Sequence, residues 1–417
     1  MKKVITLIII PLFIIVISCE KDDPQTLYEK VLIVETRSVN ETESQRFFVL
    51  IENNESSPVF KEIPNYSEYT FIRNGLIKGD KVNIHLISLN TFSDQHYFNI
   101  NSYSSVPVGK TVLFGRDNIL NDKSASSRVD LEFTNIPDFD IATRSAHLQI
   151  HCHTQTTFVD VPCEPIGGNT FPVNETFYAC LQKGDVAGFK LQKITTTEDS
   201  YTISLDSLNN NMDYYELPKE VENHDLTKIS VRAFDPVIGT IEIFNLSDIS
   251  IFPSAKIDFF VPAVNLSISN YIIDYTTLIN NKFYKNVFST ETIISTPTLI
   301  DAELQSGSEI NHQLDFTVSG NLDFLTVRLN NLGSNWLMHG IDPGEMYIPE
   351  FPEDLIAITG EPGFLEDVET ASIQLYDYSE LNGYNNALEK ILDDSKKLMD
   401  STNQSYTTLY QNVTYNH

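Results

Sequence analysis

Three histidines, His147, His151 and His153, lie where Ala146, Leu148, Ile150 and Cys152 alternate with His147, Gln149, His151 and His153. Such alternation predicts a strand, with the histidines on one face and Cys152 on the other. Positions two apart on a strand are about 6.5–7 Å apart, which lets His151 and His153 share one metal ion. Glu164 or a neighbouring strand would have to complete the ligand set. Neutral histidines on a solvent face explain the pattern more simply, so neither a metal nor any other cofactor is expected. Beside them lie three of the chain's four cysteines, Cys152, Cys163 and Cys180. A Cys152–Cys163 disulfide would close a short loop and contribute about 2–3 kcal/mol. That pair is the candidate bridge. Pairing with Cys180, or three free thiols, stays open, because spacing does not fix connectivity.

Other reactive patterns are incomplete. Gly167-Gly168 lacks the lysine and following helix of a phosphate loop. Neither a Gly-x-Ser-x-Gly elbow nor a His-Glu-x-x-His helix is present. Asp138 and Asp140 lack the rest of a calcium loop. Carboxylate pairs able to cleave a glycoside occur in any acidic chain, and none stands out. Trp336, the only tryptophan, sits in Ser334–Met338 where a core residue of a strand belongs. No catalytic residue is assigned, and the expectation is that the protein is not an enzyme.

The N-terminus is more specific. Lys2 and Lys3 precede an apolar run, Val4–Ile17, broken only by Thr6 and Pro11. This run is short of the roughly 20 residues that span a bilayer and reads as a cleaved leader. It ends in Val16-Ile17-Ser18-Cys19, which resembles a bacterial lipobox. The resemblance implies cleavage before Cys19, diacylglyceryl attachment to its sulfur and acylation of the new amino group. Two or three acyl chains of palmitate type hold a protein firmly to a membrane. The next residues, Lys21, Asp22 and Asp23, resemble the Lys-(Asp/Glu)-(Asp/Glu) signal of surface-exported Bacteroidota lipoproteins. That implies an outer-membrane lipoprotein exposed on the cell surface, with a periplasm-facing one as the alternative.

Charge narrows the partners. The chain carries 28 basic and 57 acidic residues, a net charge of −29, and loss of Lys2 and Lys3 with the leader makes it −31. Such a field repels nucleic acid and anionic surfaces. The membrane is met through the lipid, which leaves a protein or a glycan as ligand.

The body reads as strands. Val129–Phe133 alternates cleanly, and Arg46–Ile51, Lys81–Leu86, Thr176–Leu181, Lys228–Phe234, Lys256–Val261, Gln313–Val318 and Phe324–Leu329 are rich in β-formers. Turn signals such as Asn74-Gly75 and Lys183-Gly184-Asp185 separate them. The class expected is all-β, with tandem immunoglobulin- or transthyretin-like β-sandwiches and one C-terminal amphipathic helix. The division expected is leader 1–18, tether 19–26, sandwiches 27–135, 140–262 and 263–378, helix 382–402 and tail 403–417. Tyr384, Leu388, Ile391, Ser395 and Leu398 form the helix stripe, expected to dock on the last sandwich. Similar proline-punctuated segments at Tyr215–Glu220 and Tyr347–Glu353, each ahead of a strand, hint at a duplication.

These observations lead to a cell-envelope lipoprotein with a binding, adhesion or assembly role. A glycan-binding accessory lipoprotein of a polysaccharide-uptake system is one alternative. A hydrolase using a metal or paired carboxylates is another.

Overall fold

The computed structural model describes residues 30–36, 45–53, 56–64, 67–72, 79–93, 95–114, 128–134, 146–152, 155–160, 170–172, 176–183, 186–193, 200–204, 208–236, 239–246, 256–263, 266–293, 296–305, 309–311, 313–331, 333–360, 368–399 and 405–415. Among these the protein is all-β, with strands nearly throughout and two α-helices, Glu353–Thr359 and Tyr384–Met399.

Among the described residues one sheet of 14 strands organises the chain, 12 along its path and two, Gly239–Leu246 and Glu309–Ile310, paired beside it. Its path begins at Glu220–Val221, His224–Asp235, Asn270–Ile279 and Lys282–Thr290. It continues through Tyr406–Tyr415, Thr370–Tyr378, Phe324–Asn331 and Ser334–Gly340. It ends in Gln95–Pro107, Lys81–Phe92, Gln45–Asn53 and Ser56–Ile63. Tight hairpins set much of the register. Asn280 and Asn281 both take positive φ, 50° and 62°, as the two-residue turn before Lys282–Thr290 requires.

The sheet does not stop at the expected segment boundaries. His224–Asp235 pairs with Asn270–Ile279 across the second of them. Gln95–Pro107 pairs in parallel with Ser334–Gly340 across both, Asn99 opposite Asn335 and Tyr103 opposite His339. The central strands are covered on both faces. In Lys81–Phe92, Val82, Ile84 and Leu86 enter one core, while Ile87 and Leu89 enter another. Strands buried on both sides lose the apolar–polar alternation of a one-sided sheet. One face packs on the irregular stretch holding Ile300, Leu314, Phe316, Met346, Ile348 and Phe351. The other packs on a three-stranded sheet, Glu68–Ile72, Lys30–Thr36 and Lys110–Phe114, and on the C-terminal helix. A third core lies around Ile229, Val231, Ile273, Ile257 and Phe259 in the middle of the chain.

Three expectations need correction. The stretch 403–417, read as a tail, contains the strand Tyr406–Tyr415, paired with Thr370–Tyr378 and Lys282–Thr290. Its Leu409 is fully buried and its Val413 and Tyr415 nearly so, a register the β-rich run Thr407–Tyr415 allows. The helix docks through Tyr384, Leu388 and Ile391 on a core that includes Phe324, Tyr376 and Tyr378 of the last segment, but that core extends to the N-terminal residues Val82, Val106, Val112 and Phe114, so the helix does not rest on the last segment alone. Lys110 and Glu389 pair at the rim of that contact. In Gln313–Val318 the strand starts only at Thr317. Leu314 takes φ 51°, turns through a bond from its N–H to the Asn311 carbonyl (3.0 Å), and is buried.

The junction before the helix is pinned by one carboxylate. Asp323 is buried, and its two oxygens accept the N–H groups of Tyr378 and Gly383, each at 2.7 Å. Asp323→Ala should therefore cost about 2 kcal/mol, since bonds to a charged acceptor are worth about 1.5–3 kcal/mol and one buried and one half-buried donor lose their partner. Urea denaturation of the variant measures this, and an unchanged midpoint would show that the junction is held by something else.

Candidate functional site

The parallel seam between Gln95–Pro107 and Ser334–Gly340 has an irregular neighbour, the 3₁₀ turn Pro343–Glu345 and the stretch that follows it. A cleft of about 300 Å³ opens there, lined by Glu52, Lys81, Asn83, Ser105, Gly344, Glu345 and Tyr347. Small-molecule sites span roughly 300–1,000 Å³. The backbone approaches closely at this point. A Cβ on Gly340 would sit 2.5 Å from Ser104 Oγ and 2.6 Å from Met346 Sδ.

A bulge shapes one wall. The pairing of Lys81–Phe92 with Gln95–Pro107 slips between Val82 and Ile84, so one residue faces two. Ser105 takes φ 55°, a conformation non-glycine residues seldom adopt. Its N–H donates to Asn83 Oδ1 at 2.9 Å and its hydroxyl to Glu345 Oε2. The phenol of Tyr384, from the C-terminal helix, donates to the Ser104 carbonyl at 2.7 Å. Helix and bulge are thereby locked together.

A line of hydrogen bonds runs from the cleft into the core. Tyr347 donates its hydroxyl to Glu52 Oε2. His85 Nε2 lies 3.2 Å from the same oxygen, and its Nδ1 lies 2.7 Å from Ser102 Oγ. Trp336 Nε1 donates to Ser102 Oγ at 2.7 Å. A carboxylate only accepts, so Nε2 carries the proton, and in a neutral imidazole Nδ1 then accepts from Ser102. Burial pushes the Glu52 carboxyl up, but the bonds from His85 and Tyr347 together outweigh it and hold it below the usual range. Burial, with Glu52 next in weight, drives the Tyr347 phenol well above its ordinary value. At neutral pH the cleft thus presents an ionised Glu52 bridged by a neutral tyrosine.

Serine, histidine and carboxylate in sequence invite comparison with a hydrolytic triad. The surroundings argue otherwise. Ser102 is 4 % exposed and already takes the indole proton. The space beside it, bordered by His85, Met338 and His339, has room for about one water molecule, not an acyl group.

The residues singled out in sequence lie elsewhere. Cys19, Lys21, Asp22, Asp23, His153, Cys163 and Glu164 fall outside the described residues. His147 and His151 are in the strand Ala146–Cys152, opposite Gln182 and Tyr178, and Tyr178 is fully buried. Among the described residues no group of three His, Cys, Asp or Glu can hold a metal. Cys180 pairs with Gln149, three ladder positions from Cys152. That register sets their Cα atoms about 11 Å apart, beyond the roughly 7 Å a disulfide can bridge. Trp336 is buried, as expected for a core residue. Sequence reasoning missed the cleft because its parts are up to 295 positions apart, as between Glu52 and Tyr347. The one local signal was His85, a polar residue inside the apolar run Ile84–Leu89.

Fold and site together define an all-β protein built on one extended mixed sheet, with a polar cleft at its parallel seam. No protein-family model matches the chain, and no curated protein matches it in sequence.

Proposed function

We propose that this protein is a lipid-anchored cell-envelope protein, exposed on the outer face of the outer membrane, with a non-enzymatic binding role. The observation that carries this reading is Cys19 at the end of a basic-plus-apolar leader, followed by Lys21-Asp22-Asp23. The cleft at the seam is its ligand site. Its concave polar lining and the pre-set hydrogen-bond line behind it support binding, and the burial of Ser102 weighs against acyl transfer. Adhesion and assembly are forms of the same role, in which the ligand belongs to another cell or to a neighbouring envelope component. A sandwich arrangement of immunoglobulin or transthyretin type is proposed for the middle segment alone. There a core is enclosed between the His224–Asp235 and Asn270–Ile279 strands and the Met212–Pro218 and Lys256–Pro262 pair.

Two variants test the address. Cys19→Ala should abolish incorporation of labelled fatty acid and move the protein from the membrane to the soluble fraction, because the anchoring chains are gone. Persistent labelling would sink the lipoprotein reading. Alanine at Lys21, Asp22 and Asp23 should leave labelling intact but protect the protein from protease added to whole cells. A wild-type protein that resists shaving in whole cells, yet is digested after lysis, would place it on the periplasmic side.

A further inference from the structure

The geometry points to a neutral polyhydroxylated ligand, a short oligosaccharide, as the occupant of the cleft, with Tyr347 as the face on which a sugar ring lies. This rests on the reading of the cleft as the ligand site. Four chemistries compete for it, and the lining separates them.

An anion is disfavoured, because Glu52 and Glu345 both line the cleft, Glu52 is held ionised, and Lys81 is the single cation opposing them. A metal ion lacks ligands: no group of three suitable side chains exists among the described residues, and Glu52 Oε2 is taken by two donors. An apolar ligand would meet no aliphatic side chain in this lining. A cationic amine would suit the carboxylates but would face Lys81 in the same space.

A sugar hydroxyl is donor and acceptor at once, and the lining alternates in kind. Glu52 and Glu345 each commit Oε2 to protein donors and leave Oε1 without a bond among the described residues. Those two oxygens accept; Lys81 Nζ, which has no partner among the described residues, donates. Hydrogen bonds to a carboxylate are the stronger kind, so two of them supply orientation as well as affinity. Tyr347 is 36 % exposed although its hydroxyl is tied down, so a side chain held in place lines the cleft. An aromatic ring held in that way offers an apolar surface with a polar tip already satisfied.

The hydrogen-bond line supplies a reporter. A ligand that bonds Glu52 or covers Tyr347 perturbs His85, then Ser102, then the indole N–H of Trp336, which is the only tryptophan in the chain. The full chain in detergent would be titrated with neutral trisaccharides of gluco, manno, xylo and galacto configuration. Trilysine, trigalacturonate and octanoate serve as controls. Indole emission and calorimetry are read together. At least one neutral trisaccharide should bind, shift the indole emission and lose about tenfold in affinity in Glu345→Gln, the worth of one good hydrogen bond. Tyr347→Phe should retain stacking, while Tyr347→Ala loses it and binds at least about tenfold more weakly. Unchanged thermal unfolding of Glu345→Gln and Tyr347→Phe keeps the comparison free of misfolding. Binding of trilysine, trigalacturonate or octanoate instead, with an affinity changed by Glu345→Gln, would overturn the saccharide assignment and leave the cleft as a ligand site. No response to any probe, or sugar binding unaffected by every one of these substitutions, would overturn the assignment and the cleft reading together.

Discussion

Trp336→Ala is expected to destabilise the protein by about 4 kcal/mol, within the roughly 3–5 kcal/mol typical of emptying a buried tryptophan site. The side chain is 1 % exposed and packs near the rings of Phe351 (6.3 Å) and His85 (6.5 Å). It sits on Ser334–Gly340, the strand whose parallel pairing with Gln95–Pro107 joins the early part of the chain to the late part. Two losses therefore combine: apolar contacts in the core, and the indole proton that Ser102 Oγ accepts. Trp336→Phe separates them. It keeps most of the ring and loses the donor, so about 1 kcal/mol is expected from the hydrogen bond alone. Urea unfolding followed by far-ultraviolet circular dichroism measures both variants. A loss below about 1 kcal/mol in Trp336→Ala would show that the site collapses without a cavity, and that the seam is not where the fold concentrates its packing.

Much of the strand content was legible because it is local. Ala146–Cys152 and Phe324–Leu329 follow from alternation and β-branched composition alone, and both are strands. The helix stripe at Tyr384, Leu388 and Ile391 was equally local, and the helix runs Tyr384–Met399. What the stripe covers was not local. Tyr384 reaches the Ser104 carbonyl, 280 positions earlier. Strand order likewise depends on which edges meet, and nothing near Asn99 announces Asn335 as its partner. The reading of 403–417 as a tail failed for a related reason: position at the chain end outweighed a run of threonine, tyrosine, leucine and valine that pairs on both sides.

The cleft was less legible still. Glu52, Asn83, Ser105, Glu345 and Tyr347 are ordinary polar residues of strands and turns when read alone. Their meaning comes from a bulge and a 3₁₀ turn that converge only after the sheet has formed. Tyr347 was noticed, but as part of a hinted duplication with Tyr215. Tyr215 lies in the strand Met212–Pro218, whereas Tyr347 is in an irregular stretch beside the turn. The similarity is of composition, not of conformation. His85 carried a real signal, because a histidine within Ile84–Leu89 must find partners or stay unpaired in the core.

Acid should weaken this protein well above the pH at which carboxylates titrate, and His339 is the reason. It is 3 % exposed, its Nδ1 lies 3.0 Å from Thr326 Oγ1, and its ring stacks on Tyr103 at 5.2 Å. Burial first, and the positive charge of Arg328 second, pull its pKa down from 6.5 to about 4. The unfolded chain therefore takes up this proton as the pH falls through 6.5, while the folded chain resists until about 4. More protons on the unfolded state mean stability that falls with falling pH. The contribution is whole above pH 6.5, declines through that window and is gone below about 4, in total about 3 kcal/mol. Glu52 acts later. Its carboxyl is held below the ordinary 4.5, so its contribution is present above 4.5 and lost only as pH falls past it. Urea midpoints from pH 7 down to pH 4, for the wild type and His339→Gln, separate the two. The variant should lose about 3 kcal/mol less than the wild type across this range, whatever its stability at pH 7. Glu52→Gln should follow the wild type until the lowest points. Parallel curves for the wild type and His339→Gln would mean that the folded protein accepts this proton as readily as the unfolded chain does, and that His339 is not held neutral by its burial.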